Sequence, residues 1–595
     1  MGIAFAGSRA FLTHGTHKVR TMQSLIALIE EAIRQYADRP AFACMGNEMS
    51  FLEFGRQTQR LGDWLIAQRL PPGSKVAVML PNIFQNPVAV AAILRAGMVV
   101  VNVNPLYTPR ELALQLNDSK SAVLIALENF AHTIDKADKE FGLPKLQTVV
   151  LTELGDAMGA KGRLINLVVR YIKRMIPDWK FPARWRLSRW PTILAAKRGV
   201  PADTEIAPVP PRLPWDPLLD VNGHPIHREK NDLALLQYTG GTTGVAKGAM
   251  LTHGNLLANL EQCESWLSPS VLAAELKAQY SSFRNLTMVC ALPLYHIFSF
   301  TACMMLGFKV GFKNLLVPNP RDLKSVIHTL SLDPPHLFPG VNTLFNALLN
   351  HPEFRRMDFS QLKIAVGGGM SVTASVAQRW QEKTGVVMLE GYGLSETSPV
   401  VAATPRTLKE FTGSVGLPMP GTEIQLLDEQ GEAIANPSPD QRGEIAVRGP
   451  QVMLGYWNSD EDRNQVFTDD GFFRTGDIGA IDAQGYLHVV DRKKDMILVS
   501  GFNVYPSEIE QVVSGFPGVS ECAALGVSDP VTGEAVKLFV VPTSAGIDRR
   551  GLQAYCASHL TNYKRPRDIE VRDVLPKSAV GKVLRRALRD NDQQG

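Results

Sequence analysis

Short apolar runs recur along the chain: KVAVML (Lys75 to Leu80), SAVLIAL (Ser121 to Leu127), LALLQYT (Leu233 to Thr239) and LKIAVGG (Leu362 to Gly368). Their length and aliphatic character suit strands buried on both faces. Segments of helical period lie between them, such as Ser371 to Lys383 and Thr252 to Trp266, and the alternation predicts an α/β architecture. The passage VPADTEIAPVPPRLPWDPL (Val200 to Leu218) is too rich in proline for helix or central strand and reads as a surface connection between two large subdomains. Farther on, RTGDIGAIDAQGYLHVVD alternates like strands around tight glycine turns, a β-rich piece. After it, DRKKDMILVSGFNVYPSEIEQVV opens a compact unit with its own strands and helices. The expected division is a large domain over 1–490 and a small, mobile α+β domain over 491–595, with the charged DRKK as hinge.

Composition narrows the picture by exclusion. In 595 residues, 62 Lys and Arg stand against 58 Asp and Glu, a formal net charge of +4 that gives no general affinity for nucleic acid. Six cysteines without CxxC spacing indicate neither a zinc site nor a disulfide framework and fit a reducing compartment. The N-terminal MGIAFAGSRAFLTHGTHKVR places apolar residues ahead of basic ones, the reverse of a secretory signal, and Ala6 fails the myristoylation pattern. The most apolar stretch, Pro87 to Val103, is broken by Arg95, so no bilayer span is expected.

Chemistry enters with YTGGTTGVAKGAM (Tyr238 to Met250). Backbone N–H groups in such a loop, with hydroxyls from Thr239, Thr242 and Thr243, can surround a phosphate, and the following helix is expected to turn its N-terminus toward the same anion. The loop is not a Walker A motif, because Lys247 is followed by Gly248 where magnesium binding needs Ser or Thr. Nor does it have the G-x-G-x-x-G order of a dinucleotide fold.

Together with PLYH (293–296), GGGM (367–370), EGYGLSETSP (390–399), RTGD (474–477), DRKKDMILVSGFNVYP (491–506) and PKSAVGK (576–582), the loop resembles the adenylate-forming superfamily of acyl-CoA synthetases, luciferases and adenylation domains. NVNPLYTPRE, GFNVYPSEIE and LPKSAVGKVLRR are most similar to bacterial long-chain fatty acid CoA ligases. The resemblance implies that a carboxylate attacks the α-phosphorus of ATP, pyrophosphate leaves, and the thiol of coenzyme A then takes the acyl group. It implies roles as well. Lys582 is the adenylation lysine, and Glu396, with Thr242, holds Mg²⁺. The loop residues Thr239, Gly240, Gly241, Thr242, Thr243, Gly244 and Lys247 hold phosphate. Gly367, Gly368, Glu390, Gly391, Tyr392, Gly393, Leu394 and Ser395 form the adenine slot, with Tyr392 stacking on the base. Asp477 takes the ribose hydroxyls, and Arg492 supports ribose or phosphate. Asp491 is the hinge about which the small domain turns, withdrawing Lys582 and bringing Gly501, with Ser500 and Lys494, to the pantetheine. His296 suits a general base for the thiol or, more plainly, a packing and gating residue. Phe298, Phe300 and Gly340 to Leu349 are candidate walls of an acyl tunnel.

One further segment is distinctive. RLINLVVRYIKRMIPDWKFPARWRLSRW (Arg163 to Trp190) carries eight Arg or Lys against Asp178, with Leu164, Leu167, Val168, Tyr171 and Met175 on one helical face. Basic residues beside an apolar face with interfacial Trp describe a helix lying on an anionic membrane; packing on the protein's own surface is the alternative. The expectation is therefore a cytoplasmic enzyme at the inner face of the membrane, with fatty acid, ATP, Mg²⁺ and coenzyme A as ligands. No nucleic acid is expected, and homodimers occur among such ligases. An acyl-AMP ligase serving a carrier protein, an aryl or short-chain synthetase, and a catalytically silent lipid-binding scaffold are the alternatives.

Overall fold

The computed structural model describes residues 22–196, 212–239, 246–267, 286–439, 441–459, 465–543, 546–578 and 581–592. Two largely parallel sheets form the large domain. One has seven strands in the order Arg186–Arg189, Thr148–Thr152, Val123–Leu127, Lys75–Met79, Val99–Asn102, Leu233–Thr239 and Lys247–Thr252, parallel until the last, antiparallel pair. The other has nine strands, and its parallel centre runs Met388–Gly393, Ile364–Gly368, Leu337–Gly340, Thr287–Cys290, Lys313–Leu316 and Pro40–Cys44. The apolar runs of the sequence are its buried strands, since a parallel sheet covered by helices on both faces has no solvent side to mark with polar residues.

The proline-rich passage does not separate the two sheets. Strands before it and after it, Arg186–Arg189 and Leu233–Thr239, lie in the same seven-stranded sheet, and its described end runs from exposed Leu213 to buried Leu218. Leu218 is fully buried against Gly62, where a Cβ would come within 2.3 Å of Leu218 Cδ1. Proline excludes ladder pairing but not burial, and that distinction is what the expectation missed.

Helix Gln85–Arg95 is buried along its whole length, so the long apolar stretch is core. Arg95, fully buried, donates to Thr58 Oγ1 and Asp216 O, both at 2.8 Å, and faces Glu30, whose carboxyl burial pushes up to about 7. Among the described residues no helix is long and apolar enough to cross a membrane.

A four-stranded antiparallel sheet, Glu423–Leu427, Gly443–Arg448, Phe473–Ile481 and Leu487–Arg492, is the β-rich piece. The small domain follows with its own sheet, built around Val519–Asp529 and Gly533–Pro542, and its own core of residues such as Val504, Ile509 and Leu538. Asp491 still pairs with Ile478 in the large domain's ladder, while its side chain accepts from Ser507 N at 2.8 Å at the start of helix Pro506–Ser514. Its backbone thus belongs to the large domain's ladder while its carboxylate contacts the small domain.

Beneath the nine-stranded sheet, Trp380 is fully buried, 4.7 Å from the Phe345 ring and 5.6 Å from Phe338. Trp380→Ala should cost about 3–5 kcal/mol of large-domain stability, read from urea unfolding; a loss below about 1 kcal/mol would show that this cluster does not hold the sheet.

Candidate active site

Strands of both sheets and the small domain converge on one cavity of about 1780 Å³. At its polar end lies the hairpin Leu233–Thr239/Lys247–Thr252, with Thr239 and Lys247 opposite each other at the last pair before the tip. Gly240, Gly241, Thr242, Thr243 and Gly244 lie outside the described residues. The expected helix N-terminus is not there. After the loop the chain returns as a strand, and helix His253–Leu267 begins only at the far end of that strand. The glycine and threonine content signalled a phosphate loop but could not say which element would follow it, because KGAMLT is short enough for either.

Glu396 sits in the turn Ser395–Thr397 after strand Met388–Gly393, buried, with its Oε1 accepting from Tyr456 Oη–H at 2.7 Å. Burial raises its pKa, and the Tyr456 hydrogen bond and the positive charge of Arg492 oppose that rise. Asp477 and Arg492 face each other as cross-strand partners, and Arg492 Nε lies 3.1 Å from Asp477 Oδ1. Tyr392 lines the cavity with its ring and donates its hydroxyl to Asp477 Oδ2 at 2.8 Å. Each carboxylate oxygen accepts two hydrogen bonds, so Asp477 keeps capacity for a pair of vicinal hydroxyls.

The slot residues divide. Gly368, Gly391, Gly393, Leu394 and Ser395 line the cavity, whereas Gly367 and Glu390 do not. Glu390 is turned under the glycine turn, its Oε1 accepting from Val372 N at 3.1 Å, and burial lifts its carboxyl to about 7. Alternation along a strand sends neighbouring side chains to opposite faces, which a motif read as a block conceals.

Lys582 reaches the cavity from the small domain. Its turn is closed by Ser578 N donating to Lys582 O at 2.7 Å and Lys582 N donating to Ser578 Oγ at 3.1 Å. Gly581 rests on the large domain at Thr343, whose Oγ1 would be 2.5 Å from a Cβ there. Burial, then the charge of Arg492, lowers the Lys582 ammonium to about 8, against the pull of Asp477. His296 is held neutral, its pKa pushed down to about 4 by burial and then by Lys582, and its Nδ1 accepts from Phe298 N at 3.3 Å. A ring so poor in basicity fits the packing and gating role better than general base.

Lys494 also lines the cavity, but Ser500 and Gly501 do not; they form the exposed tip between Ile497–Val499 and Phe502–Val504. Among the aromatic candidates, Phe298 lines the cavity and Phe300 is core. Of Gly340 to Leu349 only Val341 lines it, while Phe345 packs on Trp380. The apolar wall the sequence reading missed comes from Cys263, Trp266 and Leu267 on helix His253–Leu267, with Leu306 and Met419. Their helical spacing was visible, but not the partner that left them uncovered.

The basic strip is partly committed elsewhere. Arg170 pairs with Glu128 and Glu153 at 2.7 and 3.0 Å, Arg189 with Glu128 at 2.5 Å, and Arg184 with Asp138. Of its tryptophans, Trp185 and Trp190 are buried, and half-buried Trp179 packs on Phe181 at 4.6 Å. The apolar face is nonetheless uncovered, with Leu164, Leu167, Tyr171, Ile172 and Met175 each more than half exposed, from 53 % at Met175 to 75 % at Ile172.

A large domain of two mostly parallel sheets and a four-stranded antiparallel one, followed by a small α+β domain whose Lys582 reaches the shared cavity, has the architecture of an adenylate-forming enzyme. The chain belongs to that family: residues 29–457 match the AMP-binding enzyme domain and 508–582 the AMP-binding enzyme C-terminal domain. Among its relatives is a long-chain-fatty-acid–CoA ligase of Escherichia coli O157:H7, 46% identical over 571 residues, 96% of this chain and 94% of that one. Another, with the same name, from Haemophilus influenzae is 41% identical over 588 residues, 98% and 97% of the two chains. The fold is similar to that of an anthranilate CoA ligase, AuaEII, in complex with anthranoyl-AMP (TM-score 0.77, 23% identity, 96% and 97% covered). It is also similar to ATP-bound MatB from Rhodopseudomonas palustris (TM-score 0.72, 25% identity, 96% and 99% covered).

If the Lys582 cation is what the reaction uses, it is complete below its pKa of about 8 and lost above it. Pyrophosphate release should therefore fall between about pH 7 and about pH 9, while Lys582→Arg, whose guanidinium stays charged, should lose that limb at whatever rate remains. A wild-type profile flat to about pH 10 would disconnect Lys582 from the chemistry.

Proposed function

We propose that this chain activates medium- and long-chain fatty acids in two steps, joining the carboxylate to AMP and then transferring the acyl group to coenzyme A. The observation that carries the reading is a single cavity with Lys582, Arg492 and Glu396 at one end and a wall of Trp266, Leu267, Leu306 and Met419 at the other, while Asp477, itself buried, pairs with Arg492. A polar end suited to a nucleotide and an apolar end suited to an alkyl chain are what a fatty acid and ATP jointly need. The names of the relatives at 41–46% identity support the same substrate class.

Within this reading, Lys582 lies against the forming acyl–phosphate bond and offsets charge on its oxygens, and Lys247, with the loop before it, faces the leaving pyrophosphate. Asp477 orients the ribose, and Arg492 supports it. The site fits Mg²⁺, which favours one or two carboxylates together with substrate phosphates over an all-protein cage. Glu396 is a buried, cavity-lining carboxylate, and among the described residues no group of three or more His, Cys, Asp or Glu forms a separate metal cluster. Glu396 would hold the ion, with Thr242 as the second candidate, and the ion would neutralise charge between the phosphates. Neutral His296 fills the space beside the lysine and excludes water. The exposed Ser500–Gly501 tip is free to approach once the small domain has turned about Asp491.

The uncovered face at Leu164 to Met175, ringed by Arg163, Lys173 and Arg174, supports a second element of the proposal: this helix seats the enzyme on an anionic membrane surface, where fatty acids reside.

Palmitate, ATP, magnesium and coenzyme A should yield AMP and palmitoyl-CoA, with acetate and benzoate turned over far more slowly. Lys582→Ala should lower adenylate formation by about 10²–10³-fold while preformed palmitoyl-AMP is still converted to thioester; equal loss of both steps would rule out a role confined to the first. Replacing Leu167 and Ile172 together by Ser should reduce sedimentation with phosphatidylglycerol vesicles about tenfold or more and spare turnover of soluble acids. Vesicle binding at the wild-type level would dispose of the membrane seat.

A further inference from the structure

Tyr456 arrives in the site from sixty positions beyond Glu396 and belongs to no motif that the sequence made conspicuous. Its hydroxyl donates to Glu396 Oε1 at 2.7 Å. Its ring lies under Lys247, with Nζ 5.4 Å from the centroid, a distance at which an ammonium is attracted to an aromatic face. One side chain thus touches both the carboxylate suited to the metal and the lysine at the foot of the phosphate loop.

The backbone around it makes the same connection. Met453 N donates to Glu396 O at 2.8 Å. Leu454 N donates to Met250 O at 3.1 Å, Met250 N to Gly455 O at 3.0 Å and Trp457 N to Gly248 O at 2.8 Å. Residues 453–457 therefore form a strap laid along the outer strand of the phosphate hairpin, its first residue bonded to the main chain of Glu396. Beyond Tyr456 the strap is fastened by Trp457, whose Nε1 donates to Asp118 O at 3.1 Å and whose ring carries Lys75 Nζ at 4.1 Å.

A carboxylate is planar and turns about one bond, so fixing one oxygen fixes the direction of the other. Hydrogen bonds to charged groups are short and orienting, and in a buried place they are not exchanged for water. We infer that Tyr456 is a positioning residue: through its hydroxyl it sets Glu396 for the metal on the triphosphate, and through its ring and strap it ties that setting to the hairpin. The inference rests on the ATP-dependent reading above and adds a residue that acts through Glu396 rather than on the substrate.

The test is direct binding, without turnover. Calorimetric titration of the wild-type protein with ATP, in magnesium and in EDTA, should show tighter binding with the metal. Tyr456→Phe keeps the ring under Lys247 and removes the hydroxyl. It should lose about tenfold in affinity for magnesium–ATP, with affinity for metal-free ATP unchanged and thermal unfolding close to wild type. Glu396→Gln should remove the metal preference too, and adding Tyr456→Phe to it should cost nothing more, since coupled residues are non-additive. A Tyr456→Phe protein that retains the wild-type preference, or weakens both forms of nucleotide equally, would overturn the inference and leave the proposed activity standing. A wild-type protein that binds ATP alike with and without magnesium would remove the metal role of Glu396 and the inference with it.

Discussion

Positive charge placed where water is scarce is the constraint around which this site is built. Lys582 and Arg492 point into one partly enclosed cavity, and burial first, then the charge of Arg492, lowers the Lys582 ammonium to about 8. Asp477 offsets part of it, and the neutrality of His296 avoids adding a further cation. What remains is a deficit of negative charge, which a polyphosphate would supply. A desolvated cation attracts its partner far more strongly than a solvated one. The site is thus least comfortable when empty, and electrostatic preorganisation of this kind is what a phosphoryl-transfer step uses.

Between the large domain and the small one runs a seam. It is held by polar contacts: Arg442 to Glu508 at 2.5 Å, Lys493 to Glu444 at 2.9 Å, and Asn346 Nδ2 to Ser520 O at 3.5 Å. Partly exposed pairs such as Arg442–Glu508 contribute about 0–1 kcal/mol each, enough to favour an orientation, whereas Glu444 is a buried partner for Lys493. The strong contacts lie within the small domain instead. Asp491 is bonded to Ser507 N, and Arg585 faces Glu510 at 2.8 Å and Asp495 at 3.5 Å. The small domain would therefore turn as a unit, with Asp491 carried at its edge.

Much of the fold was legible because buried parallel strands and helices leave unmistakable periods, and the family resemblance singled out Lys582, Glu396 and Arg492, which line one cavity, together with Asp477, which pairs with Arg492. What escaped has physical causes. The strand after the phosphate loop was indistinct because six residues satisfy either period. Gly367 and Glu390 were read with their neighbours although a strand sends alternate residues to opposite faces. The tryptophans of the basic strip were taken for interfacial ones, but Trp185 and Trp190 are core and half the arginine charge is spent on Glu128, Glu153 and Asp138. Tyr456 was invisible because its importance lies in a contact sixty residues distant, and no local pattern encodes that.

Lys582 and Gly501 both belong to the small domain, yet only the first is at the cavity. A rigid unit cannot deliver both to one place without turning. Lys582 follows a turn pressed on Thr343, whereas Gly501, with φ +83° and open space where a Cβ would stand, tips a hairpin facing away. Such a tip suits close approach to a narrow chain, and within the proposed two-step reading it would serve only after the small domain had turned. Within the proposed reading the present arrangement serves the first step, with Lys582 and Glu396 on one cavity and Asp477 paired with Arg492. The proposed order of the chemistry agrees with this placement: the step assigned to the lysine comes first, and the step assigned to the loop second.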